Sequence, residues 1–141
     1  MTFDFKILDK KDIEKVIPLV EKLNNYNIPV DVLKIRLTEM VNQNYECAVI
    51  YKDNTIVGIS GMWFCTRHYA GKSLEVDHVF IDEIFRGNGL GKRFFKWIYD
   101  YAKTKGCETV ELNTYVGNHP SHKFYYNEGF NILGYHFLKK L

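Results

Sequence analysis

Residues 79 to 92 read Val79-Phe80-Ile81-Asp82-Glu83-Ile84-Phe85-Arg86-Gly87-Asn88-Gly89-Leu90-Gly91-Lys92. The apolar start is typical of a strand, and Leu90 begins the clearest helical pattern of the chain, which runs to Thr104. Glycines stand at alternate positions between them, and glycine lets the backbone take positive φ and lets a ligand approach closely. The first N–H groups of a helix lack intrahelical partners and lie at the positive end of its dipole. The stretch therefore predicts a phosphate or pyrophosphate site.

The glycine spacing fits neither of two common phosphate-binding loops. A dinucleotide fingerprint needs a glycine five positions after the first, where Gly87 is followed by Lys92. A P-loop needs Ser or Thr after its Gly-Lys pair, where this chain has Arg93. A purely structural turn is the alternative if the turn is considered alone.

Composition limits the class of protein. The chain has 141 residues, 46% of them hydrophobic, which fits a single domain over residues 1–141 and excludes a disordered protein. The net charge of +2, from 19 basic and 17 acidic residues, is too balanced to predict a nucleic-acid partner. No apolar run approaches the roughly 20 residues of a membrane span, and the first residues lack the apolar core of a secretion signal. We therefore expect a cytoplasmic protein without nucleic-acid or membrane partners.

The cysteines and histidines predict no metal site. Cys47, Cys65 and Cys107 are odd in number and widely spaced, as expected of reduced core residues and not of a zinc site or a disulfide frame. The histidines show no close spacing with Cys or Asp that would suggest metal ligands.

The rest of the chain alternates between strand-like and helix-like patterns. A mixed α/β sheet is expected, because the first half contains a hairpin and the second half contains strand–helix–strand units. Pro18 should bend or break the first helix. The predicted strands are Phe3–Leu8, Cys47–Lys52, Thr55–Phe64, Leu74–Asp82, Thr109–Tyr115 and Phe130–Leu138, with a loop at His68–Ser73. The predicted helices follow Asp9, begin near Asp31, and cover Leu90–Thr104 and Pro120–Asn127.

Two motifs together resemble the GNAT superfamily of N-acetyltransferases. Arg86-Gly87-Asn88-Gly89-Leu90-Gly91 is similar to its acyl-CoA pyrophosphate loop. The stretch from Asn118 to Phe130, with its aromatic-Tyr pair and Gly-Phe, is similar to its second signature. The resemblance implies the GNAT fold, a mixed and mostly antiparallel sheet of six to seven strands with a parallel central pair and helices on both faces. The tail also looks similar to aminoalkylphosphonate acetyltransferases.

The resemblance implies a binding site for acetyl-CoA as cosubstrate. Backbone groups of Val79 and Ile81 would pair with the pantetheine amides, and the Val79 N–H would serve as the oxyanion donor. The N–H groups from Gly87 to Lys92 would hold the pyrophosphate, and Arg86 and Asn118 would contribute side-chain contacts. The implied cofactor-binding set is Val79, Phe80, Ile81, Arg86, Gly87, Asn88, Gly89, Leu90, Gly91, Lys92, Asn118 and Tyr125.

The resemblance also implies that Tyr125 is the general acid, since a phenol can give a proton to the leaving thiolate. The candidates for the base that accepts the amine proton are the carboxylates on the predicted strand Leu74–Asp82. If side chains alternate along this strand, Glu75, Asp77 and Val79 share one face. Asp77 is then the preferred base and Glu75 the second, and His78 points to the opposite face as a structural residue. His119 and His122 are secondary candidates.

The function implied is transfer of an acetyl group from acetyl-CoA to a primary amine of a small molecule by direct attack. The alternatives are a CoA-binding regulatory domain without turnover and an acetyltransferase of a protein amine. The apolar final strand, with Phe130, Ile132, Leu133 and Phe137, would allow a homodimer. The acceptor itself is left open by the sequence.

Overall fold

The computed structural model describes residues 2–141 as five strands and four α-helices. The strands form one sheet in the order β1-β2-β3-β4-β5, which is also their order in the chain. All neighbouring strands are antiparallel except β4 and β5, which are parallel. The strands are β1 (Asp4–Ile7), β2 (Tyr45–Lys52), β3 (Thr55–Arg67), β4 (Gly71–Ile81) and β5 (Thr109–Leu112).

Helices cover both faces of this sheet. Their bounds are α1 (Ile17–Leu23), α2 (Val30–Met40), α3 (Leu90–Thr104) and α4 (His119–Asn127). Alternate residues of β2 belong to different cores: Cys47 and Val49 pack with α1 and α2, while Ala48 and Ile50 pack with α3. The two-residue period of a strand therefore divides the hydrophobic residues between two layers. The layer with α1 and α2 is called the α1/α2 face below, and the other the α3 face.

The first helical segment begins and breaks where the sequence predicts. The Asp9 carboxylate accepts a hydrogen bond from the Lys11 N–H at 3.1 Å, which caps the segment. The first part, Lys10–Val16, is a 3-10 helix, and the α-helical part starts at Ile17. Pro18 lies in the first turn of α1, where its missing N–H removes no intrahelical bond.

Strand β4 extends beyond the end of its parallel neighbour β5. Its pairing with β5 runs from Ser73 to Val76, and Val76 pairs with Leu112, the last residue of β5. Beyond that point β4 continues to Ile81 while pairing only with β3. The stretch Asp77–Ile81, called the open half of β4 below, therefore has one edge along which no strand of residues 2–141 lies. This gap between β4 and β5 lies beside the start of α3, the helix that follows β4.

Several predicted boundaries are wrong. No strand forms at 130–138, so the sheet has five strands instead of six or seven, and the parallel pair lies at its end instead of its centre. Strand β5 stops at Leu112 instead of Tyr115, and β4 starts at Gly71, inside the predicted loop. The missing strand is the largest difference: residues 131–141 are exposed throughout. A strand forms only where its backbone finds a partner, and alternation in sequence does not supply one.

Candidate functional site

The glycine turn opens the N-terminus of α3. Gly87 and Gly89 have φ of +85° and +72°, and a Cβ built on either would meet no atom within 4 Å. Gly89 is the N-cap, with its carbonyl accepting the Arg93 N–H at 3.1 Å. The backbone N–H groups of Leu90, Gly91 and Lys92 precede the first intrahelical bond and have no carbonyl partner in α3. The turn is thus an accessible row of amide donors at the positive end of a fifteen-residue helix.

The side chains of two residues predicted to contact the phosphates, Leu90 and Arg86, are directed toward other parts of the protein. The side chain of Leu90 is buried in the core, so only its backbone is available to a ligand. Arg86 turns back over β4: its Nε donates to the Ile81 carbonyl at 2.7 Å, and its guanidinium lies 4.9 Å from the centre of the Phe80 ring. The arginine therefore fastens the turn to the end of β4, although its side chain remains exposed, as does that of Lys92.

The second signature packs directly on the glycine turn. A Cβ on Gly91 would lie 3.7 Å from the Phe124 ring and 3.8 Å from the Ile81 side chain, so α4, α3 and the end of β4 meet there. Phe95 of α3 contacts Phe124 edge-on at 5.2 Å between ring centres and Tyr125 at 6.0 Å. The two motifs, far apart in sequence, therefore lie side by side in the fold.

Tyr125 is a largely buried phenol within this aromatic group. Burial raises the pKa of its hydroxyl above the ordinary tyrosine value. The ring also packs against Phe130 at 5.9 Å, and the Phe130 N–H donates to the Tyr125 carbonyl at 3.0 Å. Such a group stays protonated at neutral pH, as a proton donor must.

Asn118 is the N-cap residue of α4, but its side chain makes no capping hydrogen bond. Its carbonyl accepts the His122 N–H at 3.2 Å, and the His122 ring nitrogen Nε2 lies 2.9 Å from the Tyr115 carbonyl. The asparagine side chain is exposed and has no hydrogen-bond partner among residues 2–141. It is therefore available to a ligand at the start of α4.

A β-bulge interrupts the open half of β4. Gly61 pairs with Asp77 and Ile59 with Phe80, so two β4 residues, His78 and Val79, lie opposite one β3 residue. His78 has a φ of +37°, which is unusual for a residue with a side chain. The ring nitrogen Nε2 of His78 lies 2.6 Å from the buried Tyr45 hydroxyl. Burial lowers the pKa of the His78 imidazole, and its Nδ1 is buried without a hydrogen-bond partner in the described chain.

The bulge overturns the predicted arrangement of side chains on β4. Val79 packs on the α3 face with Ile81, whereas Asp77 bonds to Trp63 and His78 bonds to Tyr45, and both of these aromatic residues lie on the α1/α2 face. Asp77 and Val79 are thus on opposite faces, and His78 is on the same face as Asp77. The alternation rule fails because the extra residue shifts the pattern by one position.

Two hydrogen bonds at the end of the open half indicate the direction of its backbone groups. The Asp82 N–H donates to Val57 on β3, and the Ile81 carbonyl points away from β3 to Arg86. Because successive strand residues direct their backbone groups to opposite edges, Val79 also faces the open edge. The Val79 N–H is therefore accessible from the gap between β4 and β5.

The two candidate carboxylates have different partners on the α1/α2 face. Asp77 accepts hydrogen bonds from the Trp63 indole at 3.0 Å and from the His78 N–H at 2.8 Å. Glu75 lies 3.7 Å from Arg67. Both carboxylates are thus oriented by their neighbours, and both lie on the face opposite Tyr125.

Glu111, which the sequence analysis did not single out, lies beside Glu75 on the neighbouring strand β5. It accepts hydrogen bonds from Tyr69 at 2.7 Å, from Ser73 at 2.9 Å and from Arg67 at 3.2 Å. Burial alone would raise the pKa of this carboxyl, but these hydrogen bonds and the Arg67 charge outweigh it and hold the pKa below its ordinary value. Only strand pairing brings Glu111 to this face, so no local signal could have identified it.

Two kinds of feature are absent from residues 2–141. No group of His, Cys, Asp and Glu within residues 2–141 is arranged to hold a metal ion. No helix in the same range is long and apolar enough to cross a membrane.

Comparisons with known proteins agree on one family. Residues 17–130 match the family model described as the acetyltransferase (GNAT) family. An aminoalkylphosphonate N-acetyltransferase of Salmonella typhimurium is 23% identical over 72% of this chain and 67% of its own length. Several other curated relatives match over less than half of their own length.

Solved structures share the whole fold. A GNAT family acetyltransferase of Staphylococcus aureus has a TM-score of 0.78 and 25% identity, and the alignment covers all of both chains. An aminoglycoside N-acetyltransferase solved in complex with CoA has a TM-score of 0.82 and 17% identity, with 99% of this chain and 95% of that chain covered.

Proposed function

Because this chain belongs to the GNAT acetyltransferase family, we propose that it transfers an acetyl group from acetyl-CoA to a primary amine of a small molecule by direct attack. The main support is the meeting of the glycine turn, the open half of β4 and the helix carrying Tyr125. This arrangement offers amide donors for a pyrophosphate, a free strand edge for pantetheine and a phenol for the leaving sulfur. The glycines leave room for a phosphate group, so the residues present fit the cosubstrate.

The binding roles follow from the accessible groups. The N–H groups from Gly87 to Lys92 hold the pyrophosphate, with Lys92 adding charge and Asn118 a side-chain hydrogen bond. Val79 and Ile81 pair with the pantetheine amides along the open edge. Phe80 supports Arg86, and Arg86 in turn fastens the turn.

The reaction requires a neutral amine, a donor to the developing oxyanion and a proton for the sulfur. The amine nitrogen forms a bond to the acetyl carbon while the carbon–sulfur bond breaks. The Val79 N–H stabilises the oxyanion, and Tyr125 gives its proton to the CoA thiolate. The proton lost by the amine passes to Asp77 or Glu75, directly or through water.

The separation of the candidate groups supports this division of labour. Tyr125 packs on the α3 face, whereas Asp77 and Glu75 are held on the α1/α2 face. The amine would approach the acetyl carbon from the side of the carboxylates. The CoA sulfur would leave on the other side of the gap, toward the Tyr125 phenol. Asp77 is the preferred base because it is adjacent to the bulge, and Glu75 is second.

The acceptor class is supported by weaker observations. The carboxylates Glu75, Asp77 and Glu111 outnumber Arg67 on the α1/α2 face, which favours a cationic amine over an anionic one. The net charge of +2 gives no reason to expect nucleic acid or a membrane as partner. We place the reaction in the cytoplasm, which the free thiols of the three cysteines support.

The test is release of CoA thiol from acetyl-CoA in the presence of separate amines. The panel contains an aminoalkylphosphonate, an aminosugar, a diamine and a peptide with a free N-terminus, and acetyl-CoA binding is measured in parallel by calorimetry. Release above background with a small amine supports the proposal. Binding without release by any amine would favour a regulatory CoA-binding domain, and release with the peptide alone would favour a protein acceptor.

A further inference from the structure

His78 is held in a backbone conformation that residues with side chains rarely adopt. Its φ is +37°, in the left-handed region where the Cβ crowds the backbone. The residue lies in the bulge of β4, where His78 and Val79 together face one residue of β3. A strained conformation of this kind persists only when the surrounding contacts hold it in place. The contacts of the His78 side chain are therefore expected to decide whether the bulge keeps its shape.

The His78 ring crosses β3 at Gly61 and ends at β2. A Cβ built on Gly61 would overlap the ring, so the imidazole occupies the space that a side chain would take there. Gly61 pairs with Cys47 of β2 on one side and with Asp77 of β4 on the other. Past this glycine, the ring nitrogen Nε2 lies 2.6 Å from the Tyr45 hydroxyl. A side chain of β4 is thus bonded to β2, the strand on the far side of β3.

The Tyr45 hydroxyl is the one hydrogen-bond partner that the His78 ring has among residues 2–141. The Tyr45 side chain is 1% exposed, and Nδ1 of the imidazole is buried without a partner in the described chain. Burial lowers the pKa of the imidazole and raises the pKa of the phenol, so both groups are neutral at neutral pH. A single hydrogen bond between two neutral groups therefore fixes the ring, whichever of the two donates it.

Tyr45 is itself held firmly by its neighbours. Its ring packs against the Trp63 ring at 4.9 Å between centres, and Trp63 is its register partner on β3. The Trp63 indole donates to Asp77 at 3.0 Å, and Asp77 accepts the His78 N–H at 2.8 Å. The bulge is thus attached at two successive residues, Asp77 and His78, to one aromatic pair formed by Tyr45 and Trp63.

The backbone angles of His78 determine where the Val79 N–H points. A peptide unit is planar, so the Val79 N–H turns together with the His78 carbonyl as one rigid group. In the bulged conformation this N–H faces the open edge of β4. If the φ of His78 relaxed to the negative values that side chains prefer, the peptide would rotate and its N–H would leave the gap.

We propose that His78 and Tyr45 are positioning residues for acetyl transfer, and that their hydrogen bond holds the bulge so that the Val79 N–H meets the developing oxyanion. Neither side chain touches the reacting atoms, and Gly61 contributes the space for the ring. This inference rests on the proposed function, in which Val79 is the oxyanion donor. Such a donor is effective when its direction is fixed before the reaction begins. A displaced donor slows the chemical step and leaves the pyrophosphate contacts of the glycine turn unchanged.

The first test removes one hydroxyl. Tyr45→Phe keeps the ring packed on Trp63 and should lower kcat by about tenfold or more, with little change in acetyl-CoA affinity by calorimetry. The matched control is Tyr51→Phe, which removes a hydroxyl from the same face at the other end of β2 and should keep the wild-type kcat. A purely structural role would lower stability and leave kcat unchanged. Equal kcat values in wild type and Tyr45→Phe would overturn the proposal.

A double-mutant cycle tests whether the two residues act through one bond. His78→Asn is the second substitution, because asparagine tolerates positive φ but its side chain is too short to cross Gly61 and reach Tyr45. We expect each single variant to lower kcat, and the second substitution to cost no more than about twofold further. Losses that multiply in full would mean that the residues act independently, which would refute the pairing.

The direction of the Val79 N–H can be measured without an acceptor amine. Acetyl-CoA labelled with carbon-13 at the thioester carbonyl is bound to the protein, and its carbonyl stretch is recorded by infrared difference spectroscopy. A hydrogen bond to the carbonyl lowers this frequency, so Tyr45→Phe should raise it and Tyr51→Phe should match wild type. The same frequency in wild type and Tyr45→Phe would contradict the inference.

The infrared measurement separates this inference from the proposed function. A frequency that rises in Tyr45→Phe, in a protein that releases no CoA with any amine, would support the positioning role and refute the transfer reaction. Turnover by wild type that Tyr45→Phe leaves unchanged would do the reverse. A wild type that does not bind acetyl-CoA would overturn both.

Discussion

The two halves of β4 belong to one strand but have different neighbours. From Ser73 to Val76 it pairs on both sides, and Leu74 and Val76 are buried. From Asp77 to Ile81 it pairs on one side only and contains the bulge. The paired half stabilises the fold, whereas the open half presents free backbone groups and redirected side chains. The difference teaches that the candidate site forms where the hydrogen-bond ladder ends, because only unpaired groups are available to a ligand.

The largest effect is expected at the turn that follows the open half. Gly89→Val should abolish measurable acetyl-CoA binding, a loss of about 100-fold or more, because a β-branched residue resists the φ of +72° and the amide row must rearrange. Calorimetry measures the affinity. The control is Gly106→Val, at the other end of α3, with a φ of +78°. It should lose similar stability but keep its affinity, and equal losses of affinity in both variants would contradict a binding role for the turn.

Removing the phenol should affect turnover more than binding. Tyr125→Phe is expected to lower kcat by about 100-fold with little change in acetyl-CoA affinity, because it deletes a proton donor and keeps the aromatic packing. Steady-state kinetics and calorimetry separate the two effects. Tyr126→Phe, on the exposed side of α4, is the control. An unchanged kcat in the Tyr125 variant would remove its role as the acid.

The same tyrosine makes a pH prediction. A free tyrosine ionises with a pKa of about 10. Burial raises the pKa of Tyr125, so this acid remains protonated above that pH. The wild-type kcat should therefore show no loss from this group below that pH. A fall in kcat at lower pH that disappears in Tyr125→Phe would contradict the raised pKa.

A smaller effect is expected at the bulge. In Gly61→Ala the new Cβ would overlap the His78 ring nitrogen Nε2, so the ring or the strand must shift. We expect a loss of about 1–3 kcal/mol in stability and about tenfold in turnover, because the open half is displaced. The control Gly58→Ala also crowds a neighbour, the buried Ile50 side chain, and so should lose stability without involving His78. In a double-mutant cycle, Gly61→Ala should cost less stability in a His78→Ala background than in wild type, and equal losses would mean that the two residues are not coupled.

The smallest effect is expected beside the paired half. The pKa of Glu111 lies below its ordinary value of about 4.3, so its stabilising contribution is present above that pH and is lost as the pH falls below it. Glu111→Gln should cost about 1 kcal/mol at neutral pH, and the difference from wild type should disappear in acid. Denaturant unfolding at several pH values measures this. Glu39→Gln, exposed on α2, is the control. A difference that persists unchanged in acid would contradict the predicted linkage.

The sequence predicted the helices and strands more accurately than the residues at which they begin and end. The helix from Leu90 to Thr104 is found at its predicted bounds, because its apolar face and Gly106 define it locally. The glycine turn and its association with α4 were also expected. The side-chain directions of Asp77, His78 and Val79 were not, because a bulge depends on how β3 aligns with β4. Glu111 and Tyr45 became part of the site only through strands that pair across the sheet.

The sequence by itself determined the family, the order of the elements through α4 and the residues that offer amides, a phenol and carboxylates. These follow from local chemistry: where glycine permits positive φ, where apolar residues recur, and which side chains can exchange a proton. The tertiary structure decided which face of β4 each residue occupies, where β5 stops pairing and that the last apolar stretch has no partner among residues 2–141. These depend on contacts between distant segments, and the pattern of any one segment cannot specify the partner against which it will pack.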